Sequence, residues 1–186
     1  MNFEELEHQI EKATKKAFIE IFENFKHEDI YGFSLYSDEG AMTVCPSTNT
    51  IDFLNELDEE EKLELPYYKF EPAEWKYEMK GADEEFNEIS TILREELEKN
   101  DFENEYDDEK IFLSFQNRLY SICINVLKKL KAEDFFNKIA GKEIFLIFSV
   151  SEYEFDKNEL KKMVEKLNGK NKFTDEYLKW MSSWSK

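Results

Sequence analysis

The sequence predicts an α+β protein in which a small, mainly antiparallel sheet is wrapped by several helices. Apolar residues recur at steps of three and four over long segments, and short segments rich in β-branched and aromatic residues lie between them. Aromatic residues make up 16% of the 186 residues, which is enough apolar surface to exclude intrinsic disorder. This length suits one folded domain, to which we assign residues 1–186.

Three long segments predict amphipathic or buried helices. From Phe3 to about His27, apolar residues follow the helical period and form one stripe: Leu6, Ile10, Ala13, Ala17, Ile21 and Phe25. Residues 86–97 repeat this pattern on a shorter scale. Residues 111–130 are apolar around most of the helix circumference, so that helix is expected to be central and buried.

The segment after the first helix predicts a β-hairpin over about residues 31–46. Two apolar-rich strands flank Asp38-Glu39-Gly40, where a type I turn followed by glycine in a left-handed conformation would connect them. This interpretation pairs Ser37 with Ala41. Pro46 is then expected to end the second strand or to lie at its edge.

Two further strands are predicted, at about residues 67–70 and 143–150. The first is a short aromatic segment. The second is a continuous apolar run of strand length, typical of an inner strand of the sheet. Between the hairpin and the third strand, Asn49 or Thr50 is expected to cap a helix that runs through Leu57.

The remaining elements are predicted from their capping and breaking residues. Glu71–Trp75 is expected to be a brief helix with proline in its first turn, and Asp101–Glu109 a polar acidic loop. Asp156 has capping-box spacing for a helix that Gly169 ends. The last helix is expected to begin at Thr174 and to present one aromatic stripe.

Charge is distributed unevenly along the chain, whose net charge is −18. Residues 51–110 hold 7 bases and 23 acids, a net charge of −16, whereas residues 111–186 hold 14 bases and 10 acids. Such a field repels nucleic acids and anionic membranes, and it speeds encounter with a basic protein. The alternative is a solvated acidic face that aids solubility.

Motifs for metal, phosphate or nucleophilic chemistry are missing from the sequence. His8 and His27 have no second ligand at metal spacing, and no glycine-rich phosphate loop or serine hydrolase motif is present. Cys45 and Cys123 form no CxxC pair, and Cys45 is interpreted as a small core or strand residue. We therefore expect no metal and no cofactor. The acidic amino terminus and the short apolar runs favour a cytoplasmic protein without a membrane span.

Two motifs carry a resemblance to a known family. They are YGFSLYSDEGAMTVCPSTNT at residues 31–50 and YYKFEPAEWKYE at residues 67–78. In these motifs and in overall length, the chain resembles the bacterial domain-of-unknown-function 4303 family. The resemblance implies a small cytoplasmic protein and supplies no catalytic residues. Other families of small acidic bacterial proteins act as immunity proteins against secreted toxins, and that role is extended to this chain by analogy alone.

Two sets of residues are candidates for a binding site. The acidic run comprises Asp58, Glu59, Glu60 and Glu61. The two family motifs contribute a second set, which could jointly line a groove: Tyr36, Thr43, Tyr68, Glu74, Trp75 and Glu78. Aromatic side chains beside carboxylates are typical of binding surfaces, and they are also common in ordinary cores.

The sequence is compatible with three functions. The leading hypothesis is a monomeric, non-enzymatic module whose acidic middle segment binds a basic protein, and a toxin-neutralising immunity protein is its most concrete form. The first alternative is a small enzyme that uses carboxylates and tyrosines in a pocket near Glu74 and Tyr36. The second alternative is a scaffold domain without a dedicated site.

Overall fold

The computed structural model describes residues 1–99, 107–151 and 156–184 of the chain. Along the chain the helices and strands are α1 (Phe3–Asn24), β1 (Ile30–Asp38), β2 (Val44–Thr50), α2 (Ile51–Glu56), α3 (Leu65–Phe70), β3 (Tyr77–Glu78), α4 (Asp83–Lys99), α5 (Asp107–Ala132), α6 (Phe135–Ala140), β4 (Phe145–Ser151), α7 (Lys157–Asn168) and α8 (Lys172–Ser182). Two 3-10 turns, Glu61–Glu64 and Pro72–Glu74, flank α3, and the second lies within the brief helix predicted at 71–75.

The described strands form one sheet in the order β3-β2-β1-β4. β2 is antiparallel to both β1 and β3, whereas β4 is parallel to β1. A parallel pair needs a long crossover connection, and the chain between β1 and β4 provides one that includes helices. The predicted α+β class with a mainly antiparallel sheet is therefore confirmed, with one parallel pair in addition.

The hairpin is confirmed, but its predicted register is wrong. Ser37 pairs with Val44 and not with Ala41, so the connection runs from Asp38 to Thr43. The Asp38 carboxylate accepts a hydrogen bond from the Thr43 hydroxyl, which holds this wider loop closed. The residue in the left-handed conformation is Ala41, with φ of 53°, and not the predicted glycine.

Pro46 does not end the second strand, because β2 continues to Thr50. The Pro46 carbonyl accepts a hydrogen bond from the Met79 backbone N–H at 3.0 Å, so its backbone faces the side of β3. In an antiparallel ladder the N–H and C=O of one residue point to the same neighbouring strand. The proline nitrogen therefore points away from β1, and the central β1–β2 ladder loses no donor.

The predicted strand at 67–70 is wrong, because α3 occupies this segment. Pro66 lies in the first turn of the helix, where its missing N–H costs nothing. Phe70 is 2% exposed, and its ring centroid lies 5.4 Å from those of both Phe145 and Tyr177. The helix buries Phe70 and leaves Tyr67 and Tyr68 nearer the surface. The strand that pairs with β2 is β3 instead of the predicted strand at 67–70.

β4 is not the inner strand that the sequence predicts, because it lies at the end of the described sheet. Asn168, the last residue of α7, borders the free edge of β4. Its side chain accepts a hydrogen bond from the Leu146 N–H at 2.7 Å and donates one to the Leu146 C=O at 2.7 Å. The amide of Asn168 thus supplies, at Leu146, the hydrogen bonds that a further strand would make, while the packing of α5 and α7 on β4 explains why this edge strand is so apolar.

The predicted helices α1, α4, α5 and α7 are confirmed, and they supply much of the core. Phe18 of α1 is 0% exposed, and its ring contacts those of Phe33 and Phe136 at centroid distances of 5.4 and 4.9 Å. The apolar side chains in the second half of α5 are buried as predicted, but the prediction is wrong for the first half, where Ile111 is 50% and Leu113 42% exposed. Residues 101–106 of the predicted acidic loop lie outside the described residues, and α5 already begins at Asp107.

Two of the three predicted helix caps are confirmed. The Thr50 hydroxyl accepts a hydrogen bond from the third residue of α2 at 3.1 Å, and the Asp156 carboxylate caps α7. α8 begins earlier than predicted, because the side chain of Asn171 caps it by accepting a hydrogen bond from the Thr174 N–H at 2.9 Å. Thr174 itself is 2% exposed inside the helix.

Candidate functional site

The predicted acidic run forms an exposed turn after α2. The Asp58 carboxylate accepts hydrogen bonds from the backbone N–H groups of Glu60 at 2.8 Å and Glu61 at 2.9 Å. The Glu61 carboxylate accepts one from the Asp58 N–H at 2.8 Å. This reciprocal arrangement is that of a capping box and fixes the turn. Asp58 and Glu61 are therefore structural as well as charged, whereas the side chains of Glu59 and Glu60 lie in solvent.

We define the acidic surface as residues 58–68 together with Glu74. Four of its carboxylates lie near the side chain of Tyr68. The pKa of the Tyr68 hydroxyl is raised by desolvation and then by the negative charges of Glu61, Glu74, Asp58 and Glu64. Among the described residues, the one ion pair made by a carboxylate of this surface joins Glu59 to Lys62 at 3.4 Å. The surface thus keeps most of its negative charge.

Large apolar side chains are exposed within the same surface. Leu63 is 84% exposed, Leu65 38% and Tyr67 36%. The Tyr67 hydroxyl donates a hydrogen bond to Glu74 at 3.0 Å, and burial together with that carboxylate raises the pKa of Tyr67 to about 12. The two leucines are not among the site residues predicted from the sequence, although their alternation with charged residues at 61–65 was an available signal. Exposed anchors surrounded by charge are typical of protein interfaces.

Hydrogen bonds fix the acidic surface to the sheet. Asn49 in β2 is 0% exposed, and its side-chain amide donates to the Tyr68 carbonyl at 2.9 Å. The same amide donates to the Tyr31 hydroxyl at 3.0 Å, and that hydroxyl donates to the Lys69 carbonyl at 2.6 Å. Since both strand residues are buried, they hold the segment in a preformed position. A rigid surface loses less conformational entropy when it binds.

A second polar group lies near the start of β2. The Tyr36 hydroxyl donates a hydrogen bond to the Glu78 carboxylate at 2.6 Å. Burial, and then the negative charges of Glu78 and Asp38, raise the pKa of the Cys45 thiol to about 11. Cys45 is therefore protonated at neutral pH and lacks the thiolate that a nucleophilic cysteine needs.

The structure divides the six residues of the predicted groove among different surroundings. Tyr36 and Glu78 are joined by a hydrogen bond. Thr43 donates a hydrogen bond to Asp38, whose negative charge contributes to the raised pKa of the Cys45 thiol. Tyr68 and Glu74 belong instead to the acidic surface.

Trp75, the sixth residue of that set, is a core residue. It is 2% exposed, and its ring lies over Gly32 of β1. A Cβ atom at position 32 would lie 3.0 Å from the ring, so the glycine permits this close approach. The indole N–H has no hydrogen-bond partner among the described residues. Trp75 thus packs against Gly32 and Tyr31 of β1 and does not face solvent.

Glu71 is a half-buried carboxyl that the sequence analysis did not select. Burial is the main cause that raises its pKa, and repulsion by Glu74 adds to it. The nearby Ala73 N–H and Ser149 hydroxyl oppose this rise without cancelling it. The charged form of Glu71 therefore lowers stability at neutral pH.

We expect Glu71→Gln to be more stable than the wild type at pH 7. The folded-state pKa lies above the unfolded value, so the folded protein binds more protons between the two and loses stability as the pH rises through that interval. The gain from Glu71→Gln should shrink as the pH falls below about 4, where Glu71 is mostly protonated in both states. Urea unfolding at several pH values measures this, with the exposed Glu88→Gln as control. Equal pH profiles for Glu71→Gln and wild type would show that the carboxyl is well solvated.

Features typical of metal binding or membrane insertion are absent from the part of the chain that the structure describes. No three His, Cys, Asp or Glu side chains within residues 1–99, 107–151 and 156–184 are grouped so that they could hold a metal ion. Over the same ranges, no helix combines the length and apolarity that crossing a membrane requires. Cys45 and Cys123 are both free and buried.

These features define a small α+β protein with a mixed four-stranded sheet and an exposed surface that is both acidic and apolar. Residues 10–169 match the family model described as a domain of unknown function (DUF4303). The chain belongs to this family, which confirms the resemblance of the two sequence motifs. No curated protein and no solved structure shows significant similarity to the chain.

Proposed function

We propose that the protein is a non-enzymatic binding module whose acidic surface binds a basic protein. One observation carries this proposal: largely unpaired carboxylates surround the exposed side chains of Leu63, Leu65 and Tyr67 on a segment that hydrogen bonds fix to the sheet. Long-range attraction speeds encounter with a positively charged partner, and the apolar side chains then slow its release. Nucleic acids and anionic membranes are repelled by the same field.

The most concrete form of this proposal is an immunity protein that neutralises a toxin with a basic surface. A small acidic protein acts in that role by covering the partner, which requires a preformed surface and no catalytic group. One copy of the chain suffices for such a contact, so we propose a monomer. The two free, buried cysteines suit a reducing compartment, in agreement with a cytoplasmic location.

The competing proposal is a small enzyme, and one observation favours it. Glu71 has a raised pKa and lies beside the Ser149 hydroxyl, which is the kind of environment that tunes catalytic acids. Tyr36, which the enzyme hypothesis names, donates its hydrogen bond to Glu78, whereas Glu74, the other residue that it names, accepts one from Tyr67 at the surface. Binding through the acidic surface has the stronger support because several independent features of the surface agree with it.

The test compares three forms of the immobilised protein in capturing basic proteins from native lysate. They are the wild type, the surface variant Glu59→Lys/Glu60→Lys/Glu64→Lys and the control Glu84→Lys/Glu88→Lys/Glu95→Lys. Both variants change the net charge equally, and the control residues are exposed on α4. Asp58 and Glu61 are left intact because they hold the turn.

We expect wild type and control to retain the same basic partner at low salt and the surface variant to lose it. With the purified partner, the association rate of the surface variant should fall by about tenfold or more at low salt. Leu63→Ser should instead raise the dissociation rate. If no basic protein is retained, or if both triple variants bind equally, the proposal is wrong, and the scaffold alternative gains support.

A further inference from the structure

A second surface lies on α4, apart from the residues of the acidic surface. A groove of about 510 Å³ separates α4 from the beginning of β2. Thr43, Cys45 and Pro46 line the strand side, and Phe86 and Ser90 are among the residues that line the helix side. Neither the proposed binding of a basic protein nor the packing of the core uses this groove.

Opposite charges mark the two ends of the helix wall. Asp83 is the first residue of α4, and Arg94 lies 11 positions later, about 16 Å along the helix axis. Both residues are exposed, and among the described residues neither forms an ion pair. An unpaired arginine is notable in a chain with 43 acids, two of which, Glu95 and Glu98, are close to it on the same helix.

The floor of the groove suits a neutral, extended segment. Phe86, Cys45 and Ser90 are 4%, 6% and 8% exposed, so apolar groups and a hydroxyl lie close to the groove without carrying charge. The thiol stays protonated near neutral pH because burial raises its pKa to about 11. Two non-glycine residues near the Asp83 end have the strained positive φ of the left-handed region, Met79 with 53° and Ala82 with 51°. Strained backbone is common beside functional sites.

We propose that this groove binds an extended peptide segment of another protein, about five residues long, with an acidic group at the Arg94 end and a basic group at the Asp83 end. An extended chain covers the distance between the charges at roughly 3.3 Å per residue. A single small carboxylate would be too short to reach both ends. A phosphate-rich ligand would be repelled by Asp83, whereas a segment with both signs of charge matches both ends.

The experiment uses pentapeptides, acetylated and amidated at their termini, with lysine at one end, glutamate at the other and valine and serine between. Both orders are made, and control peptides carry glutamine at both ends. Nitrogen-15 NMR of the full chain records backbone amides and arginine side-chain signals. Since the chain has two arginines, Arg118 on α5 provides an internal reference and a matched control substitution.

We expect saturable shifts in α4, in β2 and in the Arg94 side chain with the charged peptides and not with the glutamine peptides. Arg94→Gln should weaken binding by about tenfold, and Arg118→Gln should leave it unchanged. Arg94→Glu should prefer a peptide with lysine at both ends. The proposal is overturned if no peptide gives saturable shifts at the groove, if Arg94→Gln binds as well as wild type, or if the shifts map to residues 58–68.

Discussion

Phe18→Ala is expected to lower the free energy of unfolding by about 3–5 kcal/mol, the range for removing a buried aromatic ring. Phe18 is 0% exposed. Its ring packs edge-on against Phe33 of the sheet and Phe136 of α6, so it connects α1 to the sheet and to α6. The cavity cannot collapse easily, because its walls belong to three different elements. Urea denaturation monitored by circular dichroism measures the loss.

The adjacent residue provides the control for this substitution. Ile19 lies on the same helix and is 37% exposed, so Ile19→Ala should change the free energy of unfolding by less than about 1 kcal/mol. Similar losses for the two variants would mean that Phe18 does not occupy the centre of the core. A second core substitution, Phe18→Leu, should recover part of the loss because it fills part of the cavity.

Asn168→Leu is expected to destabilise the protein by about 3 kcal/mol or more, although leucine has a similar size. The substitution removes a donor and an acceptor that pair with the Leu146 backbone, and a donor that pairs with the Val164 carbonyl at 3.0 Å. Asn168 is 4% exposed, so water cannot replace these partners without a local rearrangement. Each buried polar group left unpaired costs about 1–3 kcal/mol. Urea unfolding and amide hydrogen exchange at Leu146 report the effect.

The control is Asn158→Leu, at an exposed position of the same helix. It should stay within about 0.5 kcal/mol of the wild type. Should Asn168→Leu and Asn158→Leu prove equally stable, β4 would not depend on the side-chain amide to complete its edge. Unchanged exchange at Leu146 in a destabilised Asn168→Leu variant would likewise contradict the assigned role.

Several elements were predictable from the sequence for a local reason. In α1, α4 and α7 the apolar residues recur with the helical period because one face of each helix is buried. This pattern is visible in the sequence even when the elements that cover the buried face are unknown. Thr50 and Asp156 were predictable because a cap bonds to a backbone N–H only two or three residues away. The acidic run at 58–61 likewise predicted exposed charge, because carboxylates are rarely buried without partners.

The proposed binding surface was less predictable than the helices. The sequence located the acidic run and Tyr68, but exposed leucines and buried leucines look alike in a short segment. Trp75 shows the reverse difficulty, because an aromatic side chain beside carboxylates has the same appearance in a core and at an interface. Its burial depends on Gly32, which lies more than forty positions earlier and makes room for the ring.

Local patterns in the chain established the α+β class, the long helices and the excess of negative charge in the middle third. Contacts between distant residues established the rest. Phe70 packs on Phe145 and Tyr177, which makes a helix of a segment that resembles a strand. Asn168 completes the edge of β4 across 22 positions. Short segments with similar local propensities for helix and strand take the form that buries their most apolar side chain, and the fold alone supplies the surface on which that burial occurs.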